Sequence, residues 1–185
     1  MDTSSLHGGL LTPPEGKPEF TLTSTDGRPY DFRRNTDGHL TLLYFGYTHC
    51  PDVCPIHMSN IAAALRRLPA AERRQVRVIF VTTDPERDTP AVLRAWLDHF
   101  DSSFVGLDGT PAALGRVQAM FGMPPAVKSM SDASTPKSVG AYGMGHFGGV
   151  LAFTPDDSLR VTYPLGVSVD DWATDLSTLM RIGAD

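Results

Sequence analysis

The sequence predicts an α/β fold in which helices flank a central sheet with a parallel core, preceded by an N-terminal hairpin. Three observations carry that expectation. Thr41 to Tyr47 (TLLYFGY) is almost wholly apolar or aromatic, as in a strand covered on both faces. Val76 to Thr82 (VRVIFVT) is a second run of the same kind. Between them Met58, Ile61, Ala62, Leu65 and Leu68 mark one face of a helix. Strand, helix and strand in so short a stretch make a βαβ unit with a right-handed crossover.

The remaining elements follow in order. Residues 1–19, rich in Gly and Pro, read as an irregular lead-in to one domain over residues 20–185. Phe20 to Thr23 and Pro29 to Phe32 flank Asp26-Gly27, the signature of a hairpin. Thr89-Pro90 and Thr110-Pro111 each put a capping hydroxyl before a proline suited to the first helical position. The helices they open carry Val92, Leu93, Trp96, Leu97 and Phe100, then Leu114, Val117 and Phe121, with a short strand at Phe104 to Leu107 between them. Residues 122–145 read as a long loop, and a connection of that length is usually functional. Val150 to Thr154 and Leu159 to Tyr163 form a second hairpin around Pro155 to Ser158. A last helix begins at Ser168, with Asp171 completing a capping box, and stops near Gly183. This order matches a thioredoxin-like sheet of the peroxiredoxin type.

Composition narrows the function. The chain has 185 residues, 41% hydrophobic and 20% charged, with a net charge of −5. That balance suits one globular core and argues against a nucleic-acid partner, which needs a basic face. No apolar run reaches the length of a membrane span, and Met1 to Gly9 lack the pattern of a signal peptide. The only two cysteines, Cys50 and Cys54, stand four residues apart. A pair this close is more often redox-active or metal-binding than structural, because a disulfide stabilises most when it closes a long loop.

Those cysteines lie in Tyr44-Phe45-Gly46-Tyr47-Thr48-His49-Cys50-Pro51-Asp52-Val53-Cys54-Pro55. Each precedes a proline, which disfavours helical geometry, so one tight turn from Cys50 to Cys54 is expected, with Pro55 opening the helix. Both sulfurs then sit beside a helix N-terminus, whose positive end favours thiolate. If Val150 to Thr154 runs antiparallel to the first strand, the residues just before it share the cysteines' sheet edge, and His146 is among them. His7 and His39 lie in polar, Gly-rich surroundings and His99 on a helix surface, so all three read as solvated. His49 and His57 adjoin the cysteines, with His49 facing away from Cys50 in an extended segment. Two thiolates and one imidazole suit Cu(I), with zinc as competitor, and three ligands leave a position open for transfer.

FGYTHCPDVCP, DPERDTP (Asp84 to Pro90) and Tyr142 to His146 (YGMGH) resemble the hallmark segments of the Sco/SenC family, and the resemblance runs from about Pro13 to the C-terminus. These are thioredoxin-fold copper proteins that help assemble the CuA centre of cytochrome c oxidase. The resemblance implies that Cys50, Cys54 and His146 ligate copper, as Cu(I) or Cu(II), and that Asp84 is an acid near the site. It implies an oxidase CuA-bearing subunit or another copper chaperone as partner. It also implies an extracytoplasmic location with a membrane anchor that this chain does not show. One departure is Gly145, where the family commonly has an acidic residue. Met144 reads as a gap-filling side chain and Glu86-Arg87-Asp88 as a solvated ion-pair turn. The alternative function is a thiol–disulfide oxidoreductase cycling Cys50 and Cys54; a peroxidase and an inert disulfide module rank below it.

Overall fold

The structure is a computed structural model that describes residues 5–124, 127–129, 143–145 and 148–182. Its ten strands are β1 (Gly9–Gly16), β2 (Thr21–Ser24), β3 (Pro29–Asp31), β4 (Leu40–Gly46), β5 (Val76–Thr82), β6 (Val105–Asp108), β7 (Val127–Ser129), β8 (Gly143–Gly145), β9 (Val150–Thr154) and β10 (Ser158–Tyr163). Its helices are α1 (Phe32–Thr36), α2 (Val53–Arg67), α3 (Ala70–Arg73), α4 (Pro90–Asp98), α5 (Pro111–Met120) and α6 (Val169–Arg181). Eight strands form one sheet in the order β1-β10-β9-β4-β5-β6-β2-β3. β4, β5 and β6 run parallel, and β9 lies antiparallel to β4 with Leu43 opposite Leu151 and Thr41 opposite Phe153. The carboxyl end of β4 and the start of β9 therefore meet at one edge of the sheet.

The two-residue period of β4 divides the interior into two cores. Leu40, Leu42 and Tyr44 face a cluster with Met58 and Ile61 of α2, Leu93 and Leu97 of α4, and Trp172 and Leu176 of α6. Leu43 and Phe45 face the other cluster, with Phe32 of α1 and Leu114 and Val117 of α5. Every residue of β4 is buried, which is why its sequence shows no polar alternation. The hydroxyls of Thr89, Thr110 and Ser168 accept from the amides of Val92, Ala113 and Asp171, so α4, α5 and α6 start where their caps place them.

The lead-in is not irregular. Gly9–Gly16 pairs antiparallel with β10, with a shift of register between Leu10 and Glu15. Its residues are almost all exposed, so no apolar pattern announces it, and Pro13 and Pro14 are tolerated because an edge strand has unpaired amides. Two contacts tie this segment down. His7 donates its backbone amide to Asp175 Oδ2 at 2.8 Å and brings Nδ1 to within 2.9 Å of Asp175 Oδ1 and Nε2 to within 3.1 Å of Asp171. The Lys17 ammonium, fully buried, donates to the Thr36 carbonyl and hydroxyl and pairs with Asp157 at 2.6 Å. His7 is thus exposed, as its polar surroundings imply, but it is also a structural partner of α6. Phe32, expected to end a strand, opens α1, where Asp31 caps the Arg34 amide. Within the expected 122–145 loop, the backbone of Val127–Ser129 pairs antiparallel with that of Gly143–Gly145.

Candidate metal centre

β4 carries the chain to the site and Gly46 ends it. A Cβ on Gly46 would stand 2.9 Å from Cys54 Sγ and 2.7 Å from the Tyr44 ring, so the missing side chain is what lets the sulfur pack against the strand. The chain then turns tightly, the Cys50 amide donating to the Tyr47 carbonyl at 3.2 Å. Thr83 clamps the same edge by donating its amide to the Gly46 carbonyl at 2.7 Å.

The helix begins earlier than the prolines imply. α2 starts at Val53, with Cys54 in its first turn and Pro55 just after. Proline fits there because the first-turn amides of a helix have no intrahelical acceptor. Asp52, at the cap position, makes no side-chain cap. Instead Cys50 Sγ accepts the Cys54 amide at 3.4 Å, so the N-terminus of α2 points at the Cys50 sulfur. Both cysteines are reduced; Cys54 is buried and Cys50 half-buried.

Cys54 Sγ accepts from the Tyr44 hydroxyl at 3.4 Å. Its hydrogen bond with Cys50 and then its burial push the thiol far above the usual range, against bonds from the Tyr44 hydroxyl and the Tyr47 amide. The expected helix-end stabilisation of thiolate therefore does not carry Cys54, whose surroundings favour the protonated form. Burial likewise pushes up the Tyr44 phenol, which remains a donor.

Asp84 is buried beyond β5 and pairs with Arg87, whose guanidinium lies 5.8 Å from the centre of the Tyr47 ring. Tyr47 in turn supports the cysteine turn, so Asp84 reaches the site through two intermediaries. Asp88 does more than its reading as part of a solvated turn allows. It is wholly buried and accepts the Thr48 amide at 3.0 Å, the Thr48 hydroxyl at 2.6 Å and the Thr82 hydroxyl at 2.7 Å. It sews the loop before Cys50 to the end of β5. The one signal for it was a pair of hydroxyl residues, Thr48 and Thr82, each just past or at the end of a buried strand.

His49 is exposed, with Nδ1 3.9 Å from Asp88, and His99 is exposed at the end of α4. His39 is held by Arg77 at 2.8 Å. His57 is buried, its Nε2 2.9 Å from the Gly148 carbonyl. Among the described residues no third His, Cys, Asp or Glu completes a metal-binding cluster with the two thiols. His146 lies outside the described residues, as does the side chain of Met144. The structure thus brings Cys50 and Cys54 together and sets Asp84 and Asp88 behind them. Gly148, two positions after His146 in sequence, is bonded to α2 through His57, and a Cβ added to it would stand 3.8 Å from Val53.

Comparison with known proteins places this geometry. Residues 10–181 match the family model described as SCO1/SenC. The chain is 32% identical over 157 residues to the mitochondrial protein SCO1 of Saccharomyces cerevisiae, a match covering 79% of this chain and 53% of the yeast protein; the chain thus spans about half of that relative's length. The structure of Bradyrhizobium japonicum ScoI with copper bound superposes with a TM-score of 0.76 at 32% identity, covering 90% of this chain and 100% of that one. The solution structure of apo Sco1 from Thermus thermophilus gives a TM-score of 0.81 at 31% identity, covering 95% and 97%. Both solved relatives share the thioredoxin-like sheet with its flanking helices, and the chain belongs to the SCO1/SenC family.

Proposed function

We propose that this chain is a copper chaperone. It holds one copper ion through Cys50, Cys54 and His146 and hands it to the CuA-bearing subunit of cytochrome c oxidase or to another copper carrier. The observation that carries the reading is the pair of reduced thiols, one buried and one half-buried, in hydrogen-bond contact at the carboxyl end of β4. Two soft sulfurs so placed fit Cu(I), and the copper-bound relative at 32% identity supports the assignment. Asp84 and Asp88 brace the turn that presents the sulfurs. Copper is the cargo, and taking it up requires the Cys54 proton to leave. The site of action in this reading is extracytoplasmic, at a membrane, as the family resemblance implies; among the described residues no helix is long and apolar enough to cross one.

The test is an anaerobic Cu(I) titration of reduced wild type, His146→Ala and Cys54→Ser, with disulfide-reduction rates measured in parallel. One copper per chain is expected. His146→Ala should weaken binding at least about tenfold, or about 1.4 kcal/mol, and leave disulfide reduction little changed. Cys54→Ser should abolish both. Full copper affinity in His146→Ala together with collapsed disulfide reduction would make the chain a thiol–disulfide oxidoreductase instead.

A further inference from the structure

His57 stands three residues after Cys54 in α2 and is 2% exposed. Its Nε2 lies 2.9 Å from the Gly148 carbonyl oxygen. A carbonyl only accepts, so Nε2 carries the proton and donates. The ring packs on Tyr44 with centroids 5.1 Å apart, and the Tyr44 hydroxyl donates to Cys54 Sγ. Cys54, Tyr44, His57 and the Gly148 carbonyl therefore form one buried chain of contacts from the sulfur to the segment that enters β9. A Cβ added at Gly148 would come within 3.8 Å of a Val53 methyl, so this segment passes close to the start of α2. The entry to β9 is thus held to α2, one turn beyond the buried thiol, by the His57 hydrogen bond.

Its Nε2 is committed to the Gly148 carbonyl and is not available to a metal. Nor is the contact ordinary core filling, since an apolar side chain of the same volume would leave the Gly148 carbonyl without its buried donor. We infer that His57 is a positioning residue for the copper site: its bond to the Gly148 carbonyl sets the register in which the segment preceding β9 meets the cysteines. This rests on the reading of His146 as the third ligand. His57 acts through the backbone of Gly148 and touches no metal.

The experiment is a double-mutant cycle on the reduced 185-residue chain, with Cu(I) as the probe and a competing chelator to read affinity. His57→Phe keeps a ring against Tyr44 and removes the donor; His57→Met removes it with a flexible side chain; His57→Gln offers an amide donor. His57→Phe and His57→Met should each weaken Cu(I) binding about fivefold, the scale of one lost hydrogen bond. Both should also lower the nitrogen contribution in X-ray absorption of the copper form, a signature that loss of stability alone would not move. His57→Gln should recover most of the affinity. In a His146→Ala background His57→Phe should cost nothing further, because there is no ligand left to position. Wild-type affinity in both donor-less variants, or an equal loss with and without His146, would overturn the positioning role. Unchanged affinity in His146→Ala alone would instead remove the ligand assignment beneath it.

Discussion

Cys54 owes its chemistry to the way its own segment folds back around it. The Tyr44 hydroxyl, the Tyr47 amide and the Cys50 thiol surround its sulfur, and the space for it exists because position 46 has no Cβ. Gly46→Ala should force the Cys54 sulfur and the Tyr44 ring apart. The expected cost is about 2 kcal/mol of stability, in the range for overpacked cores, together with weaker Cu(I) binding. Urea denaturation and a copper titration check it, and a variant with unchanged copper affinity would show that the sulfur has room to spare. The pair itself was legible from Cys-Pro-x-x-Cys-Pro, because spacing and residue type suffice to mark soft donors. The protonation of Cys54 was not, because helix polarity is a local property and burial is not. Asp88 was illegible for a related reason: a carboxylate in a turn looks solvated until the fold closes over it.

Between elements, the loops at the sheet's carboxyl edge are held by Asp88 and by the amide and hydroxyl of Thr83, which both donate to the Gly46 carbonyl. Asp88→Ala leaves the Thr48 amide and the Thr82 hydroxyl buried without this acceptor. Charged acceptors of this kind are each worth about 1.5–3 kcal/mol, so a loss of about 3 kcal/mol in urea unfolding is expected. Asp88→Asn, which keeps one oxygen, should lose less. Equal stability of Asp88→Ala and wild type would mean that the loop is set by other contacts. Capped helices were the most legible elements, since Thr89, Thr110 and Ser168 bond within their own first turns. The single-turn α1 and α3 were not read, because four or five residues show no period. The start of α2 was placed two residues late: proline was taken to exclude Cys54 from the helix, whereas a first turn has no amide bond there to lose.

Across the whole molecule, the N-terminal segment is held by ion pairs at both of its ends, and neither was visible in sequence because the partners are distant. Asp175 lies 168 positions from His7, and Asp157 is 140 from Lys17 by residue number. His7 is held above its ordinary value of 6.5, first by the hydrogen bond to Asp175 and then by the charges of Asp175 and Asp171, with burial opposing. A histidine raised by folding adds stability that is complete below its unfolded pKa and is lost as pH rises through its folded one. The gap in unfolding temperature between wild type and His7→Gln should therefore be widest near about pH 6 and narrow towards about pH 9. A gap that stayed constant would show that the His7 side chain acts through an uncharged hydrogen bond and not through its charge.

Cys54 and Tyr44 belong to the same buried cluster as Trp172 and Leu176 on α6, so the donor sulfur is also a wall of the larger core. Whatever binds that sulfur only in the folded chain draws the unfolding equilibrium with it. At saturation each tenfold excess of free ion over its dissociation constant adds about 1.4 kcal/mol to the free energy of unfolding. The loaded protein should melt at a higher temperature than the empty one, and delivery of the cargo should return the chain to its less heat-resistant form.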